Sequence, residues 1–213
     1  MLKNIKQTYS VLAALALFSY APFSLAQSGI EDLQHFLNDV KAYHAEFNQV
    51  VLDENLSQID EASGTLTILR PGQFRWDYYP PTEQQIIGDG EKVWIYDLEL
   101  KQVIVRDQQQ SLGQSPAILL AGDGDALKNY ALEDRGIQGQ VQWVKVIPDS
   151  DDSGFDDIQV GFIDSALSVM VLVDGLGQTT RINFHNGVEN PVLPAEQFQF
   201  MPADDVDVID ETQ

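Results

Sequence analysis

The sequence predicts a mainly β protein in which one highly twisted antiparallel sheet has helices packed against it. Short alternating segments separated by turn residues recur between residues 64 and 106 and again between 130 and 183. An amphipathic segment precedes the first series, and a short apolar segment separates the two series. Strands spaced this closely favour an antiparallel sheet, because hairpin turns need only a few residues.

The first 26 residues have the features of a secretory signal peptide. A basic start is followed by an apolar run from Val11 to Phe18 and by the small-residue cleavage pattern Ser24-Leu25-Ala26. The run is shorter than the ~20 residues that cross a bilayer, and Pro22 interrupts its end, so a cleaved signal is favoured over a membrane anchor. We expect residues 27–213 to form a single domain.

Charge and cysteine content exclude several classes of function. The formal charge is −21, and the predicted signal peptide contributes only positive charges, so nucleic acid is not an expected partner. The chain has no cysteine, which removes disulfides, thiolate catalysis, thiolate metal sites and acylation of an N-terminal cysteine. We therefore expect the exported protein to be freely soluble.

The helix-forming pattern lies at the start of the predicted domain. Apolar residues recur at spacings of three and four from Ile30 to Tyr43, and Ser28 is a candidate N-cap. This pattern predicts an amphipathic helix of about four turns. A first strand from Phe47 to Leu52 and a polar loop from Asp53 to Ser63 are predicted to follow.

Two series of strands come next. The first is predicted at Gly64–Leu69, Gln73–Tyr79, Gln84–Ile87, Lys92–Tyr96 and Gln102–Arg106. Asp89-Gly90 is a hairpin turn signal within it. The second is predicted at Tyr130–Glu133, Gln140–Ile147, Asp157–Phe162, Ala166–Val173 and Thr179–Asn183.

Shorter elements complete the prediction. Pro116 to Gly122 is a helix candidate with proline near its start and glycine at its end, and a second helical piece is expected at Ala126 to Tyr130. Phe198-Gln199-Phe200 is predicted as a last strand. The acidic tail from residue 203 is expected to be mobile at its end.

Motifs typical of enzymes and metal sites are incomplete. Gly113 to Ala117 resembles a nucleophile elbow around Ser115, but the preceding segment is too polar for the buried strand that the motif needs. Asp149 to Gly154 matches half of a calcium loop, yet Val160 stands where a glutamate should close the shell. The three histidines have no metal spacing. We therefore predict no catalytic residue, no metal and no cofactor.

Arg70 is the most unusual position in the chain. It has the same parity as Leu66 and Ile68 in a predicted strand, so its side chain should lie on the apolar face. An unpaired buried charge costs several kcal/mol. The guanidinium must therefore meet partners there, or water must reach it.

Aromatic residues are concentrated on the same part of the sheet. Phe74, Trp76 and Tyr78 share one parity, and Trp94 and Tyr96 share another. These side chains can simply fill a core. A strongly curved sheet that a helix covers only partly can also leave an apolar cavity, and such cavities bind lipids.

A set of motifs extends over nearly the whole predicted domain. They are Phe47-x-Gln49, Ser63-Gly64-x-Leu66, Arg70-Pro71-Gly72-x-Phe74-x-Trp76, Gly88-Asp89-Gly90-x-x-Val93-Trp94-x-Tyr96-Asp97, Gln102-Val103, Pro116-Ala117-x-Leu119-Leu120 and Phe198-Gln199-Phe200-Met201-Pro202. In order and spacing this pattern resembles the periplasmic outer-membrane lipoprotein carrier family, LolA.

The resemblance implies a fold, a location and partners. The fold is an incomplete barrel of antiparallel strands whose apolar cavity is closed by helices acting as a lid. Members are periplasmic and are not enzymes. They accept acylated lipoproteins from an inner-membrane ABC lipoprotein-release transporter and deliver them to an outer-membrane receptor lipoprotein. A monomer without stable membrane insertion is expected.

The resemblance also assigns roles to residues. It implies that Arg70 holds the lid closed by bonding the main-chain carbonyls of Leu37, Leu120 and Ala121. The candidate residues of the acyl-binding cavity are Leu33, Phe36, Val40, Phe47, Leu66, Ile68, Phe74, Trp76, Trp94, Tyr96, Ile118 and Leu119.

Two other functions stay open at this point. A periplasmic lipid or glycolipid carrier, or a lipid-sensing domain, would use the same curved sheet for a different ligand. A secreted hydrolase built on Ser115 and the many carboxylates is the least favoured alternative.

Overall fold

The computed structural model describes residues 28–109, 111, 116–122, 127–128, 130–148 and 154–212. The predicted signal peptide, Ser115 and most of the calcium-like loop lie outside the described residues. Residues 126 and 129 of the predicted helical piece at Ala126 to Tyr130 also lie outside the described residues. Residues 127 and 128 form part of a 3-10 turn, and Tyr130 begins a strand.

One sheet of twelve strands dominates the fold. Its strands are β1 (Ala42–Leu52), β2 (Gln58–Leu69), β3 (Gln73–Tyr78), β4 (Gln84–Asp89), β5 (Lys92–Asp97), β6 (Gln102–Asp107), β7 (Tyr130–Gln138), β8 (Val141–Pro148), β9 (Phe155–Ile163), β10 (Ala166–Asp174), β11 (Thr179–Glu189) and β12 (Asp207–Asp210). Their order is β12-β6-β5-β4-β3-β2-β1-β11-β10-β9-β8-β7. The prediction of a mainly β protein is confirmed, and the sheet is open, with β12 and β7 at its edges.

Helix α1 (Gly29–Asn38) is shorter than predicted. A capping box starts it, because the Ser28 hydroxyl accepts the N–H of Glu31 and the Glu31 carboxylate accepts the N–H of Ser28. The apolar spacing continues to Tyr43, but that residue already belongs to β1. Strand β1 pairs with both β2 and β11, and these two ladders outweigh the local helical pattern.

Two further predictions about local structure were wrong. The expected polar loop from Asp53 to Ser63 is a tight turn followed by the first half of β2. The expected last strand at 198–200 is instead the end of a 3-10 helix, Ala195–Phe198, which buries Phe198 against the sheet. The acidic tail contributes β12, which pairs in parallel with β6.

Both helices cover the same face of the sheet. Helix α1 contacts β7, β8 and β9, whereas α2 (Pro116–Ala121) contacts β2 and β3. Val93 in β5 and Val146 in β8 belong to one buried cluster although their strands lie eight positions apart. In a flat sheet that separation would be about 38 Å, so the sheet must be curved around the helices.

Candidate functional site

Arg70 follows the last residue of β2 and lies where the sheet meets both helices. Its backbone N–H donates to the carbonyl of Lys41, at 2.8 Å, which fixes the chain beside the segment that connects α1 to β1. The side chain is neither fully buried nor exposed.

The guanidinium donates hydrogen bonds to carbonyls from two separate segments. Its Nε reaches the carbonyl of Gly122 at 2.8 Å, Nη1 that of Val40 at 2.8 Å, and Nη2 that of Leu120 at 2.6 Å. Val40 follows α1, and the other two acceptors lie in or directly after α2. Arg70 thus ties the ends of both helices to the end of β2, and we call these four residues the Arg70 junction.

The acceptors agree only partly with the predicted set. Leu120 belongs to both sets, and Val40 and Gly122 accept the other two bonds. The carbonyl of Ala121 accepts the backbone N–H of Gly72, at 3.2 Å. Leu37 contributes a fully buried side chain in α1. Acceptors cannot be assigned from sequence to within a residue or two, because a small shift of the helix end exchanges one carbonyl for the next.

An aromatic ring and a glutamine support this end of the sheet. The Arg70 guanidinium lies over the ring of Phe36, with its central carbon 4.7 Å from the centroid. Gln108 Nε2 donates to the carbonyl of Gly72, at 2.7 Å, and Gln108 Oε1 accepts the N–H of Gly90, at 3.3 Å. The turn that carries Arg70 is therefore held against two neighbouring segments.

Ten of the twelve predicted cavity residues lie together in one apolar cluster between the sheet and the helices. Each is at most 6% exposed. They are Leu33, Phe36, Val40, Phe47, Leu66, Ile68, Phe74, Trp76, Ile118 and Leu119. The face predicted for Leu66 and Ile68 from strand parity is thus the face covered by the helices.

Trp94 and Tyr96 lie on the opposite face. Side chains alternate along β5, so Val93 joins the central cluster while Trp94 and Tyr96 point away from it. Both rings pack against Phe200, with centroids 5.5 and 5.3 Å away. The structure therefore separates these two aromatics from the interior cluster.

Strands β8 to β11 also supply much of the interior, and none of their residues was on the predicted list. Their strands had been predicted, so strict alternation along them was the available signal. These residues are Val144, Val146, Ile158, Val160, Phe162, Leu167, Met170, Leu172, Ile182 and Phe184.

A tyrosine and a glutamine lie at the end of the interior opposite the Arg70 junction. Tyr78 packs edge-on against Phe47, with centroids 5.2 Å apart, and its hydroxyl donates to Gln49 Oε1 at 3.2 Å. Burial, and to a smaller extent the charge of Asp60, raises the pKa of Tyr78 above its ordinary value. The interior thus changes from apolar to polar towards this end.

The described residues show neither a metal site nor a spanning helix. Among them no three histidine or carboxylate side chains come close enough to hold an ion. Within the same ranges, no helix has the length and apolar character to cross a membrane.

Comparison with known proteins gives consistent matches. The family model described as outer membrane lipoprotein carrier protein LolA matches residues 38–201. A relative from Dechloromonas aromatica (strain RCB), named outer-membrane lipoprotein carrier protein, is 41% identical over 211 residues, which cover 99% of this chain and all of the relative. A second relative with the same name, from Methylobacillus flagellatus, is 38% identical, and the match covers 95% of this chain and 99% of that relative.

The fold also has solved relatives. An uncharacterized conserved protein from Thermus thermophilus superimposes with a TM-score of 0.53 at 14% identity, over 85% of this chain and 96% of its own. At that identity the likeness concerns the fold alone. The sequence matches carry the assignment: the chain belongs to the LolA family of outer-membrane lipoprotein carrier proteins.

Proposed function

We propose that this protein carries lipoproteins through the periplasm by holding their acyl chains between its curved sheet and its two helices. It receives them from an inner-membrane ABC lipoprotein-release transporter and delivers them to an outer-membrane receptor lipoprotein. The predicted signal peptide, residues 1–26, directs the chain to that compartment, and residues 27–213 form the working domain. The family matches support the cargo class.

The Arg70 junction is the observation that carries this proposal. One side chain holds the ends of both helices over an interior lined almost entirely by apolar residues. Acyl chains can enter that interior only if the helices move away from the sheet. The helices then act as a lid, and the junction is the contact that must break.

The energies involved are compatible with such opening. Hydrogen bonds to a charged group contribute roughly 1.5 to 3 kcal/mol each, and part of that gain offsets the cost of removing the guanidinium from water. Burying an acyl chain yields about 0.8 kcal/mol per CH₂ group. A chain of ordinary length thus provides enough free energy to replace the three bonds.

The proposed role needs no chemical step. Lipid moves between a bilayer and an apolar interior, and both environments shield CH₂ groups from water to a similar extent. We infer that the protein is not an enzyme and needs no cofactor, and that any energy input belongs to the transporter that extracts the lipoprotein.

Release of a labelled lipoprotein from spheroplasts tests the proposal. With the wild-type protein in the medium, we expect the acylated lipoprotein to appear in the soluble fraction as a one-to-one complex. Glu133→Gln, at an exposed position of β7 outside the interior cluster, is the control and should release as much. Release of free lipid without acylated protein, or of nothing, would overturn the carrier assignment.

A further inference from the structure

Strand β2 extends well beyond its neighbour β3. The β2–β3 ladder covers only Gly64 to Leu69, whereas the β1–β2 ladder continues to Gln58. The N–H of Tyr79 still donates to the carbonyl of Ser63, at 2.9 Å, and there the pairing ends. Within the described part of the chain, residues 58–63 of β2 therefore have a strand ladder on one side only, and we call them the open segment.

The chain itself ends the pairing at this point. Pro80 and Pro81 follow Tyr79, and neither has an N–H with which to continue the ladder. They form one wall of a cleft of about 330 Å³ whose other walls include Glu61, Ala62 and Ser63. The open segment thus borders a space large enough for a few residues of another chain.

Main-chain groups of the open segment are available for a new ladder. Because Ser63 bonds towards β3, Glu61 directs its N–H and C=O groups to the same side, whereas a register shift at Ile59 interrupts the alternation further along β2. The N–H of Glu61 is held by the neighbouring Asp60 carboxylate, at 2.9 Å, an exposed contact that an incoming carbonyl can replace. Ile59 leaves 53% of its surface exposed.

The open segment adjoins the interior. Gly64, the next residue of β2, pairs with Tyr78, whose ring packs against the interior cluster. Leu66 and Ile68 lie further along the same strand and are fully buried. A lipoprotein with its acyl chains in the interior would therefore have its first residues within a few residues of the open segment.

We propose that the open segment of β2 holds the polypeptide of the cargo, just beyond its acylated N-terminal residue, as an added β-strand. This inference rests on the proposed carrier function. Pairing through the main chain places little demand on sequence, which suits a carrier that accepts proteins related only by their lipid. A second copy of this chain is disfavoured as the occupant, because Asp60 and Glu61 would face the same charges.

Hydrogen exchange of the wild-type protein tests the inference directly. The amide of Glu61 is followed by NMR in the empty protein, with a bound triacylated lipoprotein and with a bound diacyl phospholipid. We expect exchange at this amide to slow at least tenfold with the lipoprotein only. Equal protection with both ligands, or with neither, overturns the inference. Failure of both ligands to bind overturns the carrier function instead.

A pair of substitutions provides a second test. Glu61→Pro removes one N–H of the open segment, and Glu61→Gln is the matched control that keeps it. We expect about fivefold weaker binding of the lipoprotein to Glu61→Pro, the effect of losing one hydrogen bond, with phospholipid binding unchanged. Equal lipoprotein affinity in both variants overturns the inference. Should Glu61→Pro fail to fold, the exchange experiment decides alone.

Discussion

The guanidinium of Arg70 rests on the ring of Phe36, 4.7 Å from its centroid, while its three nitrogens donate to carbonyls around it. Phe36 belongs to α1 and is 1% exposed. The ring thus shields the charge from water on one side without competing for its hydrogen bonds. This arrangement depends on a planar group with donors in a fork, which arginine has and lysine lacks.

Arg70→Lys should therefore weaken the Arg70 junction although the charge is kept. One ammonium cannot reach all three carbonyls, so we expect the free energy of unfolding to fall by about 2 kcal/mol and an apolar dye to bind more strongly. Urea denaturation and dye fluorescence measure the two effects. Arg135→Lys, at an exposed pair with Glu133, is the control and should change neither. If Arg70→Lys behaved like Arg135→Lys in both measurements, the forked geometry of the arginine would not be what stabilises the Arg70 junction.

Gly88→Ala should disturb the interior through Phe74. A Cβ at position 88 would lie 2.2 Å from the Phe74 ring, so the ring must move. We expect a loss of about 1 to 3 kcal/mol in the free energy of unfolding, as for other overpacked cores. Gly175→Ala has no atom within 4 Å of the new Cβ and should be close to neutral. In the double variant, Phe74→Leu should make room for the new methyl group, so the loss of stability should be smaller than the sum of the two single losses. A double variant whose loss equals that sum would contradict a clash with the Phe74 ring.

Docking of the acidic tail should depend on pH. The pKa of the Asp205 carboxyl lies below its usual value, because Lys101 donates a hydrogen bond to it at 2.6 Å and adds a positive charge. The contact therefore contributes fully above the ordinary pKa of aspartate, near 4, and is lost as the pH falls through the lowered value. Limited proteolysis should cut near residue 205 faster at pH 3 than at pH 6, relative to a loop without ion pairs. Lys101→Gln should abolish this difference.

The start of α1 offers a test of the helix itself. Ser28→Ala removes the hydroxyl that accepts the N–H of Glu31, and the loss of such a cap costs about 1 kcal/mol. If α1 is part of a lid, hydrogen exchange in its first turn should accelerate and acyl-chain uptake should become faster. Ser28→Asp restores a cap and should behave as the wild type. Faster hydrogen exchange without any change in acyl-chain uptake would show that α1 does not act as part of a lid.

The sequence predicted the central strands of the sheet better than the limits of some elements and the edge strand β12. Strands bounded by clear turn signals, such as those around Asp89-Gly90, lie within a residue or two of their predicted limits. The helix at 30–43 was predicted too long because Tyr43 continues its apolar spacing but also begins the alternation of Tyr43, Ala45 and Phe47 along β1. The pairing of β1 with its two neighbours decides between the two patterns. Strand β12 could not be predicted, since its pairing depends on β6, about a hundred residues earlier.

The same reasoning explains what was found and missed at the site. Arg70 was identifiable because its strand parity places its charge on the apolar face, where a charge requires partners. Its acceptors were not identifiable, because every residue has a main-chain carbonyl and the sequence does not distinguish one from another. Trp94 and Tyr96 were placed in the interior on their aromatic character, although their neighbours Val93 and Ile95 had the opposite parity and are the residues that face the cluster.

The two edges of the sheet have a bearing on aggregation. At one edge, β12 covers β6 and places Asp207 and Asp210 on either side of its two apolar residues. At the other, β7 contains a bulge between Asp134 and Gly136, which interrupts the flat ladder that another molecule would need. Fibril growth by edge-to-edge stacking is thus opposed at both ends of the sheet for as long as β12 remains paired.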